Sequence, residues 1–192
     1  MQDVHIFRGK VGWVYLIAAN LIVALTFFSF LYAGYVKEAM VSLLNGFAVS
    51  VVIWIFVIMP KIVYSNQRIE IHNPFTTVKV PWTEVIGYLT KYSFTVQTVT
   101  AKYSSWAAPA PSIFAARRTH KADFKSRDLT SKTIITPSES PNSASGAAYV
   151  LAMRYQRSIQ TDELGSPVKS INWTSVVLSV CALAAVAYNF VH

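Results

Sequence analysis

Residues 61–82 have the sequence KIVYSNQRIEIHNPFTTVKVPW, in which polar and apolar side chains alternate along three short runs. Alternation with a period of two is the pattern of a half-buried β-strand. The runs are separated by Ser-Asn-Gln and His-Asn-Pro, in which Asn tolerates left-handed backbone and Pro fixes its own torsion. The stretch therefore predicts three antiparallel strands, at 61–65, 68–72 and 76–80.

The same alternation continues and predicts three further strands, at 83–89, 92–98 and 101–107. Pro81 cannot donate a ladder hydrogen bond and marks a strand end, an edge or a bulge, and Gly87 suggests another bend. Residues 147–160 then place apolar side chains at helical spacing, with Ser143 or Ser145 available as the N-cap. We expect a small antiparallel sheet closed by one amphipathic helix.

Three short segments carry a family resemblance: Arg68-Ile-Glu-Ile-His-Asn-Pro74, Val78-Lys-Val-Pro-Trp82 and Trp106-Ala-Ala-Pro109. They resemble the pleckstrin-homology (PH)-like domains of small actinobacterial membrane proteins, which often place the domain beside a two-helix anchor. The resemblance covers roughly residues 61–112 and, more loosely, the predicted helix.

This resemblance implies a PH-like domain over residues 61–160. The chain departs from the family pattern by a long basic insertion at 113–142 and by a third apolar segment after the helix. PH folds support lipid binding, peptide binding and scaffolding, so the fold alone does not fix the activity.

Three apolar stretches, at 11–31, 40–59 and 171–191, contain no Lys, Arg, Asp or Glu. Each has roughly the 20 residues that cross a hydrocarbon core. The first is not expected to be a cleaved signal peptide, because its apolar run is too long and no small-residue cleavage site follows it. The predicted fold class is an α+β membrane protein with three transmembrane helices, namely an N-terminal hairpin and a C-terminal span, plus the PH-like domain.

The basic residues predict the orientation of these spans. The chain has 17 Lys and Arg against 9 Asp and Glu, a formal net charge of +8. All of the Lys and Arg except Lys37 lie either in residues 1–10 or between residues 61 and 169. The positive-inside rule places that side in the cytoplasm. We expect a multi-pass plasma-membrane protein with a cytoplasmic N-tail at 1–10, a cytoplasmic PH-like domain and an external C-terminus.

The inserted segment contains the densest basic cluster, six cations against Asp123 and Asp128. The six are Arg117, Arg118, Lys121, Lys125, Arg127 and Lys132. Such a cluster fits contact with anionic lipid, where each cation near the surface contributes about 1 kcal/mol, or docking on an acidic partner. It also fits a solvated loop whose charge only follows the topology. Nucleic acid is not an expected partner, because few stacking aromatic residues are near.

Polar and small side chains within the spans are expected to pack helices against one another or against other subunits. They are Asn20, Asn45, Ser175, Ser179 and Ala182. Interhelical hydrogen bonds and small residues favour close packing, whereas proton or ion routes use ionisable residues, which these spans lack. The helical rise puts the two asparagines at different depths, so a direct bond between them is not expected.

The sequence offers no catalytic or cofactor-binding pattern. The single cysteine, Cys181, lies inside a span, and the four histidines are scattered without metal-ligand spacing. There is no phosphate-binding glycine loop, no nucleophile elbow and no paired carboxylates in helical register. We therefore expect no enzyme activity, no cofactor and no metal.

These features predict a non-catalytic accessory or scaffold subunit of a larger membrane complex, whose PH-like domain binds protein on the cytoplasmic side. Its expected partners are other integral membrane subunits and membrane lipids. An actinobacterial respiratory supercomplex is one candidate host, on the resemblance alone. The alternative is a membrane-anchored PH-like protein that senses anionic lipid.

Overall fold

A computed structural model of the protein describes residues 4–9, 12–111, 143–157 and 165–191. The chain forms two units. The sheet unit combines Met1–Gly9 with Pro60–Ser170, and the helical unit combines Lys10–Met59 with Ile171–His192. The described residues therefore form an α+β protein with antiparallel sheets and apolar helices, which confirms the predicted α+β class.

The sheet unit contains two sheets. The first has the order β1-β2-β3-β4-β8 and the second the order β5-β6-β7. The strands are β1 (His5–Phe7), β2 (Lys61–Tyr64), β3 (Arg68–His72), β4 (Thr76–Pro81), β5 (Val85–Leu89), β6 (Ser93–Thr98), β7 (Lys102–Pro109) and β8 (Val168–Ile171). Within β1–β4 and within β5–β7, each strand pairs antiparallel with the next strand along the chain.

The six strands predicted from the alternation correspond to β2 through β7, with differences of at most two residues at their ends. Strands β1 and β8 were not predicted. The first lies in the segment expected to be only a tail, and the second in the segment expected to link the helix to the third span. Both are edge strands, which complete the first sheet on its two sides.

Apolar side chains from both sheets and from the helix of the sheet unit meet in one core. Its largest fully buried members are Tyr64, Phe94, Ile62, Ile69, Ile71, Val80 and Val96. Burying one such side chain contributes roughly 1.5–3 kcal/mol. Burial raises the pKa of the Tyr64 phenol, which stays neutral and donates a hydrogen bond to the Ala148 carbonyl at 3.0 Å.

The helix of the sheet unit spans Ala144–Arg157, whereas 147–160 was predicted; residues 158–160 lie outside the described part. It begins earlier because Ser143 caps it: the Gly146 N–H donates to Ser143 Oγ at 2.9 Å. Ser143 is thus the N-cap among the two predicted candidates.

Asn73 joins the two sheets through its side chain. Its Nδ2 donates to the Ser104 carbonyl at 2.8 Å, and the Trp106 N–H donates to its Oδ1 at 3.0 Å. The sequence suggested Asn73 for its tolerance of left-handed backbone, yet no described residue other than glycine has a positive φ. Asn73 instead acts like one more peptide group paired with β7.

The helical unit contains α1 (Gly12–Tyr32), α2 (Val36–Ile53) and the helix Trp173–Val191. We label the helix of the sheet unit α3 and the last helix α4. Two helices, Gly12–Tyr32 and Val36–Ile58, are long and apolar enough to span a membrane. The described apolar part of α4, Trp173–Asn189, is shorter, so the third predicted span does not meet the same criterion.

A glycine-terminated turn joins α1 to α2. Gly34 has φ of 83°, and the Tyr35 N–H donates to the Phe30 carbonyl at 2.9 Å, which is the bond of a Schellman motif. Helix α2 then begins at Val36, before the predicted residue 40. The prediction excluded the charged pair Lys37 and Glu38, which the first helical turn accommodates.

The two helices of this hairpin pack closely at Gly46, where any Cβ would overlap the Val23 side chain. Helix α2 continues as a π-helix over Trp54–Ile58, and the Met59 N–H donates to the Trp54 carbonyl at 2.8 Å. Pro60, which has no N–H to donate, ends the helical segment.

We predict that Asn73→Ala lowers the free energy of unfolding of the sheet unit by about 2 kcal/mol, because the Ser104 carbonyl and the Trp106 N–H both lose a partner. Thermal or denaturant unfolding of the full chain measures the effect. Asn66→Ala is the matched control, since Asn66 is exposed in the β2–β3 turn. Equal effects of the two substitutions would contradict the assigned role.

Candidate functional site

The six residues of the predicted basic cluster, from Arg117 to Lys132, lie outside the described residues. The helix-packing residues are all described. Asn20 Nδ2 donates to the Leu16 carbonyl of its own helix at 2.9 Å, and Asn20 Oδ1 accepts from Ser50 Oγ of α2 at 3.3 Å. Asn20 and Asn45 are not bonded to each other.

The segment made of α2, the π-helix and Met59 is hydrogen-bonded to α4 at two levels. Ser175 Oγ donates to Met59 Sδ at 3.1 Å, and Asn189 Nδ2 donates to Asn45 Oδ1 at 2.9 Å. Met59 follows Asn45 by 14 positions, and Asn189 follows Ser175 by the same number (59 − 45 and 189 − 175). Equal spacing in opposite chain directions means that the two helices run antiparallel and in register over about 21 Å.

Small residues fill the seam between these two levels. Ala182 is buried in a cluster with Ala48, Val51 and Ile55, while Ser179 is half-buried. Sequence reasoning missed Asn189, although an asparagine inside an apolar stretch was the signal that singled out Asn20 and Asn45. Among the described residues, Asn189 Oδ1 is the buried side-chain atom that has no hydrogen-bond partner.

A cleft of about 270 Å³ opens beside the α1–α2 turn. It is lined by Phe30, Lys37, Glu38, Val41, Ser42 and Asn45. Ligand sites of small molecules usually enclose about 300–1,000 Å³. This cleft is smaller and combines one cation with one carboxylate, so it does not define a ligand class.

The largest group of interacting ionisable side chains in the described chain lies on the first sheet, on the side away from the core. Arg68 Nε donates to Glu70 Oε1 at 2.8 Å, and His72 Nε2 lies 3.3 Å from Glu70 Oε2. The alternation of β3 puts these three side chains on one face, because its other residues, Ile69 and Ile71, are buried. Glu70 therefore has both oxygens engaged and is poorly placed to act as a general base.

The hydrogen bonds define the state of the His72 ring. A carboxylate only accepts, so Nε2 carries the proton that points to Glu70, and Nδ1 accepts from Thr77 Oγ1 at 3.2 Å. Burial lowers the pKa of His72 below its usual 6.5; Lys61 and Lys79 act in the same direction and Glu70 opposes them. The neutral His72 ring, with both nitrogens hydrogen-bonded, therefore has a structural role on this face.

Within the described part of the chain, no group of three or more His, Cys, Asp or Glu side chains is arranged to hold a metal ion. Glu70 and His72 provide only two possible metal ligands. Arg68 and Lys61 lie beside them, and their positive charges oppose the binding of a metal cation. The arrangement instead offers a charged protein surface.

The chain matches no protein-family model, no curated protein and no solved structure.

We predict that the stability of the sheet unit falls as the pH drops below 6.5. The folded His72 has the lower pKa, so the unfolded chain takes up its proton first, and the stabilisation present above pH 6.5 is lost as the pH approaches the folded value. Unfolding of wild type and His72→Gln across this pH range measures the effect. The substitution should flatten the slope, while His5→Gln, at an exposed position of the same sheet, should keep it. An unchanged slope in His72→Gln would refute the assignment.

Proposed function

We propose that this protein is a non-catalytic accessory or scaffold subunit of a larger membrane complex, and that its sheet unit is the protein-binding module. The observation that carries the proposal is the way in which the sheet unit is attached. Three strands of its first sheet directly adjoin apolar helices in the chain: β1 precedes α1, β2 follows the π-helical end of α2, and β8 precedes α4.

The connecting segments at these three points are residues 8–11, 59–60 and 172. With the helices in a bilayer, connections of this length keep the sheet unit at the membrane surface. A domain tethered at three points suits a permanent interface better than a sensor that is recruited and released. The described network around Glu70 also lacks a free general base, which supports a binding role.

We infer three membrane spans, with α4 as the third. Its 19 residues extend about 28 Å at 1.5 Å per residue, close to the thickness of a hydrocarbon core. The two bonded levels shared with α2 support this inference, since α2 is itself long enough to span. The distribution of basic residues then puts the sheet unit and the N-terminus in the cytoplasm and the C-terminus outside.

A PH-like fold of the sheet unit is part of the same proposal. Strands β2–β4 and β5–β7 form two consecutive antiparallel meanders, and one helix after them packs on the core through Ala148 and Ala152. Strands β1 and β8 would be additions to that fold, made by the segments next to the membrane helices. The resemblance to actinobacterial PH-like membrane proteins points to a respiratory supercomplex as a host worth testing first.

The proposed topology predicts the labelling of single cysteines. Cys181 is first replaced by Ser, and one cysteine is introduced either as Tyr32→Cys or as Tyr92→Cys, at side chains that are 98% and 80% exposed. A membrane-impermeant maleimide added to intact cells should label the first variant only, and permeabilised cells should label both. Labelling of Tyr92→Cys in intact cells would exclude a cytoplasmic sheet unit.

The scaffold proposal predicts that the protein, expressed at its endogenous level and extracted with a gentle detergent, migrates on a native gel within a larger complex. Mass spectrometry of that band then identifies the partner subunits. The matched control is the same extract treated with a harsh detergent, which should release the 21.4 kDa chain. Migration of the free chain in the gentle extract would overturn the proposal.

A further inference from the structure

The face of the first sheet away from the core has a defined order of side chains, which follows from the strand register. Lys61 of β2 lies opposite His72 of β3, and Glu70 of β3 lies opposite Lys79 of β4. We call the group Lys61, Arg68, Glu70, His72 and Lys79 the outer basic face. All five side chains are half-buried, so each remains accessible to a partner.

The outer basic face has an excess of positive charge. It contains three Lys or Arg and one carboxylate, a net charge of +2 with His72 neutral. Both oxygens of Glu70 are engaged, by Arg68 and by His72. Within the described residues, neither Lys61 nor Lys79 forms an ion pair, although Lys79 is the cross-strand neighbour of Glu70.

His72 lies between the two lysines on the middle strand of this face. Burial is the largest cause of its lowered pKa, Lys61 and Lys79 act in the same direction, and Glu70 opposes them. Both lysines are therefore close enough to the ring to act on it, one from each neighbouring strand.

Apolar side chains continue the face on one side. Ile6 of β1 is 53% exposed and lies opposite Val63, which in turn lies opposite Glu70. One row across the sheet therefore runs from two apolar side chains to a carboxylate and a lysine. A protein surface with apolar and acidic side chains side by side complements such a row.

We propose that the outer basic face binds a carboxylate-rich segment of a partner protein, with acidic side chains on Lys61 and Lys79 and apolar ones on Ile6 and Val63. This inference deepens the proposed function and rests on it. The two lysines are on strands separated by β3 and offset by two residues along them, so their backbone positions are about 12 Å apart. Acidic side chains spaced along one segment can bind the two lysines, while apolar side chains of the same segment contact Ile6 and Val63.

The test uses the full-length protein in nanodiscs of phosphatidylcholine and a fluorescent polyglutamate peptide as the probe. Fluorescence anisotropy gives the dissociation constant at low and at physiological salt. The double variant Lys61→Gln/Lys79→Gln should weaken binding roughly fivefold at low salt, which corresponds to two surface ion pairs. The control Lys91→Gln/Lys102→Gln removes the same charge from the second sheet and its turn, and should change binding less than about twofold.

Equal weakening in the two double variants would overturn the proposal, because the peptide would then respond only to net charge or to a basic segment elsewhere. Absence of saturable binding would overturn it as well. Displacement of the peptide by soluble glycerol phosphate, but not by free glutamate at the same concentration and ionic strength, would assign the face to a lipid headgroup instead. The peptide assay does not require the larger complex. Its failure can therefore be distinguished from failure of the scaffold proposal, which would be seen as a wild-type chain that migrates alone on the native gel.

Discussion

Peptide groups must find hydrogen-bond partners wherever the chain leaves an apolar helix, and in this protein β-pairing provides them at once. The chain passes from β1 into α1, from the π-helical end of α2 into β2, and from β8 into α4, with few residues between. Unpaired N–H and C=O groups that are removed from water cost several kcal/mol each. The three segments belong to one sheet. The hydrogen bonds that satisfy the peptide groups next to the helices are therefore the same bonds that assemble this sheet.

The pairing of β1 and β8 leaves one side of the first sheet open to contact with a partner. One side of β2–β4 is covered by the core and by α3, with Tyr64 bonded to Ala148. The two edges are occupied by β1 and β8. The outer side of the sheet is left to carry the polar residues of the alternation, and its ionic network keeps Glu70 and His72 in defined positions while two lysines stay unpaired in the described chain.

The sequence allowed β2–β7 to be predicted because alternation recurs from one segment to the next over residues 61–109, with turn residues between the segments. Strands β1 and β8, of three and four residues, stand apart from that continuous run of alternating segments and depend on pairing with strands distant in sequence. The positions of Lys61, Glu70 and Lys79 on one face follow from alternation, but their adjacency needed the register. The role of Asn73 could not be predicted, since its partners lie 31 and 33 residues away.

The strand order has a consequence for biogenesis. Strand β1 is synthesised first but its partner β2 follows only after α1 and α2, so the amino-terminal strand stays unpaired until the helical hairpin has been made. The opposite edge closes last, when β8 leaves the ribosome just ahead of α4. Contacts between such distant segments form slowly, so a translation arrest before residue 168 would leave the free edge of β4 exposed to unwanted strand pairing.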